Sequence, residues 1–260
     1  MKFEKEPFYQ STGRENLIFE HCYLNQLPLL LKGPTGSGKS RFVEHMAYKL
    51  DKDLITITCH EETSSTDLIG RFILRGNETA WIDGPLTIAA KSGSIIYLDE
   101  IAEARPDILV AIHSLTDFRR NMFIDKLGTE IQAHHDFMLV ASFNPGYQKS
   151  MKDLKPSTRQ RFVAISFQYP SASIEAQIVQ GETALAQAQV EKLIQISNRI
   201  RNLHELGLME TVSTRLIVDA AKLISRGLPP RLAVKAAMLE PLTDDPETLT
   251  TLEDLANLAL

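Results

Sequence analysis

Apolar positions along the chain follow two regimes that change near residue 170. In the first, short and nearly continuous apolar runs recur at Leu29–Leu31, Leu54–Thr58, Ser94–Leu98, Phe137–Ser142 and Phe162–Phe167. Runs this short, without polar alternation, predict strands buried on both faces of a parallel sheet. Between them the apolar spacing turns helical, as at Ser40–Lys49 and Asp107–Thr116. Strands and helices in alternation predict a doubly wound α/β domain. After Tyr169-Pro170 the strand signal ends, and Glu182–Ile200, Thr214–Ser225 and Arg231–Leu239 read as amphipathic helices, broken by Gly207 and by Gly227-Leu228-Pro229-Pro230. The pattern predicts an α/β domain over 1–171 and a small all-helical domain over 172–260.

The run Pro28–Leu31 leads into Gly33-Pro34-Thr35-Gly36-Ser37-Gly38-Lys39-Ser40. This is G-x-x-x-x-G-K-[ST] between a strand and a helix, the context of a phosphate-binding loop. Its glycines allow the backbone to fold so that successive N–H groups point into one anion-holding concavity. The following helix adds its positive N-terminal end. Lys39 is then placed to neutralise β- and γ-phosphates and Ser40 to offer its hydroxyl to Mg²⁺, and Arg41 is grouped with these nucleotide-binding residues.

Ligands of parallel sheets gather beyond the carboxyl ends of the strands, and three further polar groups fall at such ends. Ile95–Leu98 runs into Asp99-Glu100, where Asp99 can organise Mg²⁺, partly through water, and Glu100 can polarise an attacking water. Asn144 follows another apolar run and could hold that water or the γ-phosphate; a turn asparagine before Pro145 is the alternative. Arg159 and Arg161 precede the last strand. An arginine at a subunit boundary can neutralise transition-state charge on a neighbour's nucleotide, and a surface ion pair is the alternative.

Composition narrows the setting. The 260 residues are 43% hydrophobic and 23% charged, ordinary for a globular protein. A net charge of −5 argues against broad nucleic-acid binding, although a local basic pore stays open. Cys22 and Cys59 are too few for a disulfide framework and suggest a reducing compartment. Met1–Gln10 lacks an apolar signal core and no run approaches the roughly 20 apolar residues of a membrane span, so a cytoplasmic protein without membrane contact is expected. His113 and the His134-His135 pair lack metal-ligand spacing, with no thiolates beside them.

These motifs together resemble the AAA+ ATPases. Cys59–Arg71, Trp81-Ile82-Asp83-Gly84-Pro85-Leu86 and Ser142-Phe143-Asn144-Pro145-Gly146-Tyr147-Gln148 are similar to the MoxR branch. His113–Arg120 and Leu154–Phe162 resemble its CbbQ/NorQ/GvpN group, the CbbQ type most of all. The resemblance implies a P-loop AAA+ fold, a parallel sheet sandwiched by helices with a helical lid, and an ATPase that uses Mg²⁺. Gly33 and Thr35 to Ser40 match Walker A, Asp99 and Glu100 Walker B, and Asn144 sensor 1. Arg161 matches the arginine finger, with Arg159 a companion or the finger itself. Ser213-Thr214-Arg215 resembles sensor 2, so that Arg215 would bridge lid and γ-phosphate; an arginine in the first turn of a helix is the alternative.

The family further implies a homo-hexameric, chaperone-like ring with ATP between subunits. Residues 68–85 would be an insertion and 121–130 a hairpin near the pore, with Phe72, Trp81 and Phe123 as pore contacts or as ordinary packing. CbbQ-type rings work with a von Willebrand A-domain adaptor, CbbO, and reactivate Rubisco by releasing inhibitory sugar phosphates. NorQ-type rings act in maturing nitric oxide reductase and GvpN-type ones in gas-vesicle assembly. A nucleotide kinase or a DNA-directed ATPase is the competing class. The first would need several lid arginines and the second a basic pore, for which Arg119-Arg120 is the one candidate pair.

Overall fold

The computed structural model describes residues 2–145, 154–203 and 210–259. Gly146-Tyr147-Gln148 of the motif around Asn144, and the helix break read at Gly207, lie outside the described residues. In chain order the first elements are α1 (Glu15–Leu24), β1 (Leu29–Lys32), α2 (Lys39–Lys49), β2 (Leu54–Thr58) and α3 (Ser65–Ile69). A hairpin of β3 (Gly70–Arg75) and β4 (Glu78–Asp83) follows, then α4 (Pro85–Ser92), β5 (Ile95–Asp99) and α5 (Pro106–Ile112). A second hairpin, β6 (Asn121–Ile124) and β7 (Thr129–Gln132), precedes β8 (Met138–Phe143), α6 (Pro156–Arg159) and β9 (Val163–Ser166). The described residues after β9 form helices: α7 (Ala172–Glu182), α8 (Gln187–Arg201), α9 (Thr214–Ser225), α10 (Pro230–Val234) and α11 (Pro246–Asn257).

Five strands form one parallel sheet in the order β2-β5-β8-β1-β9. The three central strands are buried throughout save for the last residues of β1 and β5. The outer two are not: β2 buries Leu54 alone and exposes Thr56 and Thr58, and β9 buries Ile165 alone. Burial on both faces therefore holds in the middle of the sheet and fails at its edges, where no further strand among the described residues extends the layer. Side chains alternate across β5, so Ile95 and Tyr97 pack with Phe19, Phe42 and Met46 of α1 and α2. Ile96 and Leu98 pack on the other face with Leu86 and Ile108 of α4 and α5. The result is a parallel sheet between two helical layers. Register aligns the strand ends: Lys32 with Phe143 and Ser166, and Thr58 with Asp99. The loops that carry chemistry thus leave from one edge of the sheet.

Helices α7 to α11 enclose their own apolar core, including Val190, Leu193, Ile217, Val234 and Leu252. Two of its helices depart from the sequence pattern. The helix read over Glu182–Ile200 begins only at Gln187 as α8, and a separate helix that the apolar pattern did not mark, α7, ends at Glu182. Thr183 Oγ1 donates to the Val179 carbonyl at 2.7 Å and closes that last turn. Beyond Val234 the helix widens to a π-helical turn over Lys235–Leu239. Among the described residues, no helix is long and apolar enough to cross a membrane.

One buried ion pair ties this core together. Glu175, fully buried, accepts both Nη atoms of Arg201 at 2.9 and 2.7 Å and the Thr214 hydroxyl at 2.7 Å. Arg201 Nε donates to the Val212 carbonyl at 2.8 Å, and the guanidinium lies 4.4 Å over the Tyr169 ring. Arg201→Met strands the Glu175 carboxylate in the core, which should cost about 3–5 kcal/mol. Urea unfolding followed by circular dichroism reads this as an earlier transition of the helical part; an unmoved midpoint would mean that the pair contributes nothing.

Candidate active site

The loop between β1 and α2 is shaped by glycines that no other residue can replace. At Gly33 (φ +154) a Cβ would sit 2.4 Å from the Phe167 carbonyl oxygen, and at Gly36 (φ +68) one would sit 2.6 Å from Ser213 Cβ. Gly33 thus lets the loop pass under the end of β9, and Gly36 lets the start of α9 close on it. The loop faces a cavity of about 540 Å³, lined among others by Thr35 to Arg41, Asp99, Glu100, Asn144, Thr214 and Arg215.

Lys39 is at the centre of this cavity wall. Its ammonium donates to the Gly33 and Pro34 carbonyls at 2.8 and 2.9 Å and to Asn144 Oδ1 at 2.8 Å. Gly33 and Pro34 therefore stand behind the lysine rather than on the cavity surface. Burial lowers the Lys39 pKa to about 8, against the pull of Asp99 and Glu100 and with the help of Arg215. Bound phosphate would hold the lysine charged. Below pH 8 both free and bound forms are then protonated, whereas above it the free form is neutral and binding must take up a proton. Nucleotide affinity is accordingly expected to fall as pH rises past 8. Calorimetry at pH 8.5 in buffers of different ionisation enthalpy should register proton uptake; none would exclude Lys39 as the phosphate contact.

Asp99 closes the far side. Ser40 Oγ donates to Asp99 Oδ2 at 3.2 Å, the Tyr97 hydroxyl to Oδ1 at 2.8 Å, and Ser142 Oγ to the same Oδ1. Ser40 and Asp99 offer hard oxygen donors, the ligand set that suits Mg²⁺. Glu100 stands in the left-handed region at φ 56, ψ 44, on the cavity wall. Burial, Asp99 and Glu103 raise its pKa, partly offset by Lys39 and Arg215. Asn144 Nδ2 donates to Thr35 Oγ1 at 3.2 Å, so its amide links the sheet end to the loop.

The two arginines before β9 lie elsewhere. Arg161 Nη1 donates to the His113 carbonyl at 3.3 Å and to Asp117 Oδ2 at 3.4 Å, and Arg159 Nε to the Leu154 carbonyl at 2.8 Å. Neither lines the cavity, whereas Arg215 does. Phe72 and Phe123 are exposed on the two hairpins, and Trp81 stacks edge-on to Phe72 at 5.1 Å while half-buried against the core. His134, His135 and Asp136 bring ligand atoms within 4.8 Å of one another. Asp136 is held by Lys52 at 2.9 Å, and its N–H occupies His134 Nδ1.

Other walls have no sequence motif. Phe8, Tyr9, Gln10 and Thr12 reach the cavity from the N-terminal segment, and Ile178 and Val218 from α7 and α9. Tyr9 is fixed by its ring contact with Phe42 at 5.2 Å and by donating to Glu15 at 2.8 Å. Phe8, Tyr9, Ile178 and Val218 supply an apolar surface of the kind a nucleobase packs on. From the helical side the Tyr169 hydroxyl donates to the Thr35 carbonyl at 3.1 Å, and Thr35 Oγ1 to Glu210 at 3.2 Å.

Comparison with known proteins places these features in company. Residues 28–162 match the AAA domain (dynein-related subfamily), and residues 175–259 match the CbbQ/NirQ/NorQ C-terminal region. Protein NorQ of Paracoccus denitrificans is 53% identical over 250 residues, covering 96% of this chain and 93% of its own. Protein CbbQ of Hydrogenophilus thermoluteolus is 51% identical over 242 residues, covering 93% and 91%. In fold, the chain is similar to a Thermotoga maritima RuvB variant, with a TM-score of 0.57 at 17% identity over 95% of this chain and 71% of that one.

Proposed function

The chain belongs to the CbbQ/NirQ/NorQ family of AAA-domain ATPases, and from that premise we propose that it is the motor subunit of a closed homo-hexameric ring that remodels a protein client. Lys39 and the loop N–H groups hold the phosphates, Asn144 and Arg215 meet the γ-phosphate, and Glu100 takes the proton of the attacking water. Mg²⁺ between Ser40 and Asp99 would neutralise charge on the β- and γ-oxygens. The observation that carries the ring is that Arg159 and Arg161 stand outside the cavity that gathers every other polar group of the site. A neighbouring copy, docked head to tail, would bring its own Arg161 to that open side. Chemistry then depends on ring geometry, and loss of the γ-phosphate would loosen the seam and move the exposed Phe72 and Phe123 hairpins.

We further propose a von Willebrand A-domain adaptor of CbbO type, with Rubisco as the client to which inhibitory sugar phosphates stay bound. The likeness of His113–Arg120 and Leu154–Phe162 to the CbbQ type supports it. The 53% identity to NorQ supports a second reading, maturation of nitric oxide reductase. Co-expression with candidate adaptors, followed by ATP turnover with inhibited Rubisco or with unmatured reductase added, separates them. The expected result is adaptor capture and stimulation by one client. Stimulation by DNA with no response to any adaptor would overturn the protein-remodelling reading.

A further inference from the structure

We propose that Ser142 is a positioning residue for ATP hydrolysis, its single hydroxyl fixing the Asp99 side chain and the Glu100 backbone at once. The inference rests on the roles proposed above for those two residues. Ser142 is wholly buried in β8, a central strand whose other side chains are all apolar. A hydroxyl there must find partners, or its burial works against the fold. It finds two on the neighbouring strand end. β5 pairs with β8 through Leu98 and Ala141, which sets Ser142 level with Asp99. Its Oγ donates to Asp99 Oδ1 and accepts the Glu100 N–H at 3.1 Å.

The second observation is the conformation of Glu100. With φ 56 and ψ 44 it occupies a region that residues with a side chain seldom visit. Such conformations persist where surrounding structure fixes them, and they gather at active sites. The turn at Glu100 ends β5 abruptly and sends the next residues into a short helical turn at Ile101–Glu103. It also keeps Glu100 on the cavity wall, close enough for Lys39 and Arg215 to act on its charge. Among the described residues Ser142 Oγ is what accepts the Glu100 N–H in that turn.

The two supports are unequal, which makes the proposal specific. Asp99 keeps the Tyr97 hydroxyl on Oδ1 and the Ser40 hydroxyl on Oδ2 when Ser142 is removed. Glu100 loses the partner of its N–H. Removal of the Ser142 hydroxyl should therefore harm the placement of the base more than the binding of nucleotide.

Ser142→Ala is expected to lower kcat by about 10- to 100-fold while calorimetric ATP affinity stays near native. Ser142→Thr, which restores a hydroxyl, should return most of the turnover, and the Glu100 amide should exchange its hydrogen faster in the alanine chain. Should the alanine chain not fold, the nearly isosteric Ser142→Cys carries the same test. In a Glu100→Gln background, Ser142→Ala should lower turnover no further. Native kcat in Ser142→Ala, or equal losses in the alanine and threonine chains, would overturn the positioning role while Glu100→Gln still tests the base itself. Normal turnover in Glu100→Gln would instead remove the premise.

Discussion

Glu100→Gln chains should bind ATP about as tightly as native chains and hydrolyse it about 10²–10⁴-fold more slowly, the usual range for loss of a positioned base. Glutamine keeps the shape of the side chain, so the left-handed turn and its Ser142 contact survive. It removes only the carboxylate that can take a proton. Lys39, Ser40 and Asn144 keep their partners, and one negative charge beside the phosphates disappears. Burial and Asp99 raise the pKa of Glu100, which brings it nearer the working pH and makes it a better base. The same shift gives a sign to the pH profile. Native kcat should fall as pH drops through that raised pKa, because the carboxylate becomes protonated, and this limb should be missing in Glu100→Gln. Calorimetry for binding and phosphate release for turnover test the pair of statements. Normal hydrolysis in the variant would leave the cavity without its base.

How much of this was legible depends on how local each determinant is. Gly33–Ser40 declares itself because a loop, its lysine and the helix start are contiguous, and each residue's role follows from backbone geometry within eight positions. Asp99, Glu100 and Asn144 could be placed because strand ends of a parallel sheet converge, even with Lys39 and Asn144 105 positions apart. The N-terminal wall could not. Tyr9 reaches the cavity through packing against Phe42 and a hydrogen bond to Glu15, neither of which leaves a periodic trace. Phe19 and Cys22, spaced as one helical face, were the available signal for α1. The Glu175–Arg201 pair was hidden for a different reason: its charges read as surface residues until the fold buries them together. Edge strands misled in the opposite sense, since an apolar run does not reveal whether a neighbour will cover it.

Arg161→Ala should leave ATP binding largely intact and cut turnover by about 10³–10⁵-fold, with Arg159→Ala as the comparison that identifies the finger. Within one chain Arg161 is engaged with the His113 carbonyl and Asp117, away from the cavity, so its removal takes nothing from the phosphate cradle. The loss should instead fall on the neighbour's nucleotide, and mixing makes that measurable. An Arg161→Ala chain retains Glu100, and a Glu100→Gln chain retains Arg161. In randomly mixed closed rings, about a quarter of the seams would join an intact base to an intact finger from the adjacent copy. Two inactive preparations should therefore regain activity on mixing, and the gain should vanish on dilution to single chains. If Arg161 acted inside its own chain, no mixture could restore it, since every subunit would still lack one of the two groups. Silent mixtures whose rings exchange subunits freely would refute the shared site, and with it the dependence of hydrolysis on ring geometry.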